Sequence, residues 1–119
     1  MSTPLYFFGC WNDGGHHLFG PDSRRIAKPE RFGIPITPAK LDADFAPKDP
    51  RQTEGRATVT HLHGWTIVAW WDRAGDDRYG SNSAFLMKGE HTLTAVLLEA
   101  GEQYPELLPR FATLVEVKT

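Results

Sequence analysis

Histidine is the first residue type whose spacing points to chemistry. His61 and His63 lie two apart in a stretch rich in β-branched residues. In an extended strand, residues i and i+2 point to the same side, so the pair would offer two imidazoles to one metal ion. His16 or His17 would supply a third nitrogen, and Asp72 or Asp77 a carboxylate. Such a set suits zinc or another divalent transition metal, and His17, His61 and His63 would then serve a small metal-dependent hydrolase. No long-range ligand spacing supports this, and the plainer expectation is that these histidines close a hairpin end and bond to backbone. Cys10, the single cysteine, is close in sequence to His16 and His17. A thiolate nucleophile needs such a base and a lowered pKa. No recognised catalytic signature surrounds Cys10, and a small buried hydrophobe is its plainer role.

The segment from Asp72 to Ser83 is polar and punctuated by Gly75 and Gly80. Loops attached to a rigid strand often carry function. Gly80-Ser81-Asn82-Ser83 would present backbone donors and hydroxyls to an anion. It is neither a Walker motif nor a GxGxxG, so nucleotide binding has no specific support. The acidic residues Asp72, Asp76 and Asp77, with Tyr79 and Glu90 nearby in sequence, make the better candidate: a surface for a basic partner. Trp11, Trp65 and Trp71 would suit base stacking. The region around them is not basic, however, and its tryptophans are needed for a core. Direct nucleic-acid binding is therefore not expected.

These residues must be positioned by a sheet. Gly64 to Asp72 is the most apolar run and holds three of the four tryptophans. It is short, β-branched and aromatic, which predicts a strand. Alternation puts Trp65, Ile67, Ala69 and Trp71 on one face and Thr66, Val68 and Trp70 on the other. Apolar groups on both faces predict a central strand covered on both sides. Leu5–Cys10 and His16–Phe19 read as a hairpin around Asn12-Asp13-Gly14-Gly15. Ala57–Leu62 reads as a strand joined to the central one by a His63-Gly64 turn. Ala84–Lys88 reads as a short strand or turn. Thr92 reads as the N-cap of a helix of about three turns, with Leu93, Val96, Leu97, Ala100 and Tyr104 at helical spacing. Pro105 ends it or starts a short turn, and Phe111–Val117 reads as a last strand.

Residues 21–55 hold six of the nine prolines. Proline removes a backbone donor and restricts its predecessor, so long regular elements are not expected there. Ile26, Phe32, Ile34, Ile36, Leu41 and Phe45 punctuate the segment and would pin it across the sheet. The fold class expected is α+β: a mainly antiparallel sheet of about five strands, one helix from the C-terminal half on one face, and a long proline-rich loop.

The 119 residues fit one domain, 1–119, able to bury a core without staples. One cysteine excludes an internal disulfide and fits a reducing cytoplasm. No n-region and h-region precede Leu5-Tyr6-Phe7-Phe8, which is too short for a signal peptide or membrane span. The net charge of −2 gives no strong overall field. The charge is uneven: residues 1–40 hold five Lys/Arg and three Asp/Glu, residues 41–119 eight and twelve. The later part would suit a basic partner. The basic residues of the earlier part include Arg24, Arg25, Lys28 and Arg31.

At Tyr6-Phe7-Phe8-Gly9-Cys10-Trp11, Gly15-His16-His17-Leu18, Gly64-Trp65, Trp70-Trp71-Asp72-Arg73 and Gly80-Ser81-Asn82-Ser83-Ala84-Phe85, the chain resembles small uncharacterised proteins of bacteriophages and prophages. The resemblance covers the first hairpin and residues 56–111. It implies no catalytic residues. It implies an interaction protein in the bacterial host cytoplasm that acts on host defence, anti-CRISPR proteins being the best-known group of that size. The expectation is therefore a non-enzymatic inhibitor that needs no cofactor. Its partner would be a CRISPR effector with a basic surface, met by Asp72, Asp76, Asp77, Tyr79 and Glu90.

Overall fold

The computed structural model describes residues 3–10, 16–45, 55–72, 81–111 and 113–117. It is an α+β fold built on one mixed sheet of six strands: β1 (Leu5–Cys10), β2 (His16–Phe19), β3 (Arg56–Leu62), β4 (Trp65–Asp72), β5 (Ser81–Lys88) and β6 (Val115–Glu116). Their order across the sheet is β2-β1-β5-β4-β3-β6. The apolar run is thus one of the two central strands, pairing β3 from Leu62↔Trp65 to Ala57↔Trp70 and β5 from Trp65↔Lys88 to Asp72↔Ser81. The β3–β4 turn is two residues long, with His63 at φ 49° and Gly64 at φ 79°. Positive φ at both positions matches the right-handed twist of a tight hairpin.

Alternation along β4 divides the core. Val68 and Trp70 face the helix α2 (Leu93–Gln103), sharing one cluster with Phe7, Phe85, Val96, Ala100, Tyr104 and Phe111. Trp65, Ile67 and Ala69 share the opposite cluster with Tyr6, Phe8 and Leu86. Ile34, Ile36 and Leu41 close that face, brought there by a 3₁₀ turn (Pro29–Phe32), a short helix α1 (Pro38–Lys40) and one wide helical turn (Leu41–Phe45). The helix α2 begins where Thr92 accepts a hydrogen bond from the Ala95 N–H at 3.2 Å, which satisfies one of the orphan donors of the first turn. After Tyr104 the chain forms a 3₁₀ turn (Pro105–Leu107) and a short helix α3 (Leu108–Phe111).

Three expectations are corrected. The sheet has six strands and is not purely antiparallel, because β6 runs parallel to β3 at Arg56↔Val115 and Ala57↔Glu116. The cause is the crossover. The helix carries the chain back across one face, so the strand that follows runs parallel to β5, the strand before it. The last strand is two residues long, not Phe111–Val117, because α3 continues to Phe111 and buries its ring against Phe85, 5.2 Å away and edge-on. Ser81, Asn82 and Ser83 belong to β5, not to a loop. Their ladder partners Asp72, Trp71 and Trp70 occupy the backbone groups that an anion cradle would need.

Candidate functional site

The register places each residue singled out above. His17 lies on β2, and His61 on β3 is four strands away. At about 4.8 Å per strand that is about 19 Å, far beyond the reach of one metal ion. His63 sits in the turn instead of continuing the strand, so the i, i+2 argument does not apply to it. His61 is exposed and its Nε2 lies 3.2 Å from the His91 carbonyl oxygen, while the Nε2 of His91 lies 2.8 Å from the Lys88 carbonyl oxygen. His61 and His91 therefore fasten the β5–α2 connection to the neighbouring hairpin. Among the described residues, no group of three His, Cys, Asp or Glu side chains is placed to hold a metal ion.

The acidic set is not one patch. Asp72 ends β4 opposite Ser81, whereas Glu90 follows β5 at its other end. Ser81 and Lys88 are the two ends of an eight-residue strand, about 23 Å apart. Glu90 is exposed at the end of the sheet that carries the His63-Gly64 turn. Asp76, Asp77 and Tyr79 lie outside the described residues, as do Trp11 and most of the segment around them. Cys10 is the last residue of β1, paired with His16. Trp65 is buried and cannot stack a base, and Trp71 is half-buried beside Asn82.

The chain does build a concave site elsewhere, beyond the edge strand β2. Gly20 turns the chain back: Ser23 N–H donates to the Gly20 carbonyl at 2.9 Å, with Ser23 at φ 65°. Asp22 braces the turn, accepting the Arg24 backbone N–H at 3.1 Å and meeting the Arg24 Nε at 3.6 Å. Residues 25 and 26 then run antiparallel to β2, with a Phe19↔Arg25 bridge and an Ile26 N–H to Leu18 carbonyl bond of 2.8 Å. The Pro29–Phe32 turn forms the opposite wall and stops at Gly33, φ 74°. Between the walls lies a groove of about 630 Å³, lined by Arg24, Arg25, Lys28, Arg31 and Phe32, with Asp22 as the single carboxylate. Glu30, on the same turn, is not part of the lining.

Phe32 is 51% exposed, although the sequence marks it as a residue that would pin the loop. Its ring centroid lies 5.9 Å from Tyr6, which in turn lies 5.8 Å from Trp65. Burial, then the Asp22 charge, raise the Tyr6 hydroxyl above its usual pKa, so it is neutral at physiological pH. The sequence signal for this site is the run of cations at positions 24, 25, 28 and 31 with an aromatic at 32. Gly20-Pro21-Asp22-Ser23 marks a reversal after β2, but the spacing of the cations does not show that they then line one groove.

No family model, curated protein or solved structure matches the chain.

Proposed function

We propose that this is a binding protein that acts by occupying a charged surface of a larger partner, and that its principal contact is the groove beyond β2. The observation that carries this is the charge of that groove: four cationic side chains against one carboxylate, on backbone held by turn and edge hydrogen bonds. Fixed cations in a concave site attract an anionic partner and orient its approach. The resemblance to small phage-encoded proteins supports placing it among inhibitors of host defence. A bacterial CRISPR effector is the partner class. Such an effector carries guide RNA and captures DNA through basic channels, so it presents surfaces of both signs. The groove would meet the acidic one. The segment between the paired ends Asp72 and Ser81, with Asp76 and Asp77, would meet the basic one.

Two measurements test this. Purified protein is expected to bind heparin, and Lys28→Gln/Arg31→Gln to weaken that binding. Titrated into guide-loaded effectors, the parent is expected to block target-DNA capture and the same variant to relieve the block. Equal inhibition by parent and variant would move the contact away from the groove.

A further inference from the structure

We propose that the groove binds a single nucleic-acid strand, with one base on Phe32 and the flanking phosphates on Arg24, Arg25, Lys28 and Arg31. The inference rests on the reading of the groove as the anion-binding surface, and it names the anion. Charge alone would suit an acidic peptide equally well. The aromatic residue separates the two. A base needs a fixed, flat, accessible platform, and sequence-tolerant strand binding combines such platforms with a cationic track. Phe32 meets both halves of that requirement. Half of its surface is open to solvent, and its ring leans on Tyr6, which leans on buried Trp65. Ile34, Ile36 and Leu41 close this face of the core, so the Phe32 ring packs on Tyr6 with one side and leaves the other open beside four cations.

The spacing of the cations fits the same ligand. Arg24 and Arg25 lie on the wall next to β2, Lys28 between the walls, and Arg31 on the 3₁₀ turn adjacent to Phe32. Guanidinium groups on both sides would hold the phosphates before and after the stacked base by paired N–H donors. At about 630 Å³ the groove has room for a nucleotide unit, within the usual range for small-ligand sites. Because readout would be by stacking and charge, no strong base preference is expected.

The test uses a fluorescently labelled oligo(dT) of about a dozen nucleotides, within the site sizes such grooves cover. Anisotropy is measured across a salt series, with unlabelled oligo(dT), AMP and poly-glutamate as competitors. Single-strand binding loses about 0.7 in log affinity per log salt for each phosphate contacted, so Lys28→Gln/Arg31→Gln is expected to flatten the slope by about 1.4. Phe32→Leu keeps an apolar contact for Tyr6 but removes the flat ring. It is expected to weaken binding by about 5- to 150-fold, the worth of one stacked base, without lowering the melting temperature. Phe32→Trp is expected to bind at least as tightly as the parent. If Phe32→Leu binds like the parent, or poly-glutamate competes as well as oligo(dT), the strand assignment is wrong while the anionic-groove reading stands. Competition by AMP at oligonucleotide concentrations would make a free nucleotide the ligand and overturn the strand. Failure of both oligo(dT) and heparin to bind would remove both readings.

Discussion

Trp70 shows how one residue settles the core. It is 2% exposed, packed against Phe85 with the rings tilted at 41° and their centroids 4.9 Å apart, and its indole N–H has no hydrogen-bond partner among the described residues. Trp70→Ala is expected to cost about 3–5 kcal/mol in chemical denaturation, from lost burial and the cavity left behind. Trp70→Phe removes the unpartnered N–H while keeping an aromatic ring, so it is expected to cost less than half as much. Tyr104 is the contrasting case, a buried polar group with partners. Its hydroxyl donates to the Gly20 carbonyl, with the Phe19 carbonyl at 3.3 Å, tying the end of α2 to the end of β2. Burial first, then the Asp22 and Glu106 charges, raise its pKa well above the ordinary tyrosine value of 10.0. The unfolded chain therefore releases this proton near pH 10 while the folded protein keeps it. The stabilisation is fully present below that pH and is lost as pH rises above it. Tyr104→Phe is expected to lower stability by about 1 kcal/mol at neutral pH and to flatten the decline as pH rises above about 10. An unchanged decline would assign it to other groups.

At the scale of elements, the joints between strands decide more than the strands themselves. Thr66 is buried, yet its hydroxyl donates to the Gly89 carbonyl at 2.6 Å and accepts the His91 N–H at 2.9 Å. Gly89 N–H donates to the Gly64 carbonyl at 2.6 Å. The chain thus leaves β5 under tight control before Thr92 starts the helix. Gly89 has φ 97°, and a Cβ there would stand 2.9 Å from the His91 Nε2. Gly89→Ala is expected to cost about 1–3 kcal/mol in denaturant midpoint terms. The neighbouring turn carries strain of the opposite consequence. His63 holds a positive φ that asparagine tolerates better, and Asn-Gly is the favoured pair for such a turn. His63→Asn is expected to stabilise the protein by about 0.5–1 kcal/mol. Loss of stability in that variant would mean that the imidazole has a role the turn geometry does not reveal. Gln103 makes a third joint. Its amide accepts the Leu5 N–H at 3.0 Å and donates to the Thr3 carbonyl at 2.9 Å, standing in for a strand partner at the start of β1.

At the scale of the whole molecule, the basic groove lies beyond β2 at one edge of the sheet, and the central strands β4 and β5 meet at Asp72 and Ser81, the residues that bracket the acidic stretch in sequence. The two are expected to act independently in binding, as sites without shared contacts do. Replacing Asp76 and Asp77 by Asn keeps side-chain size and removes two charges. The double variant is expected to leave folding and oligonucleotide binding unchanged, and to weaken binding to the effector with a flatter salt dependence. Equal effector binding at low and high salt would show that the acidic segment is not a contact.

The sequence by itself determined the elements that rest on local periodicity and turn chemistry. The two-faced run Trp65–Trp71, the His63-Gly64 turn, the first hairpin and the Thr92-capped helix could all be read from neighbouring residues. It located the first-half cations too, as a run. Tertiary structure decided whatever depends on residues far apart. Strand order separates His17 from His61 and Glu90 from Asp72, because sequence proximity carries no information about which strands are neighbours. The crossover through α2 makes β6 parallel, and pairing with Trp70 and Trp71 draws Ser83 and Asn82 into a strand that their polarity disguises. The groove combines both. The reversal at Gly20-Pro21-Asp22-Ser23 is local, but four cations and a phenylalanine become a site only because the Pro29–Phe32 turn forms the wall opposite residues 25 and 26 and Phe32 meets Tyr6 of β1, an arrangement in space that the spacing of the cations does not encode.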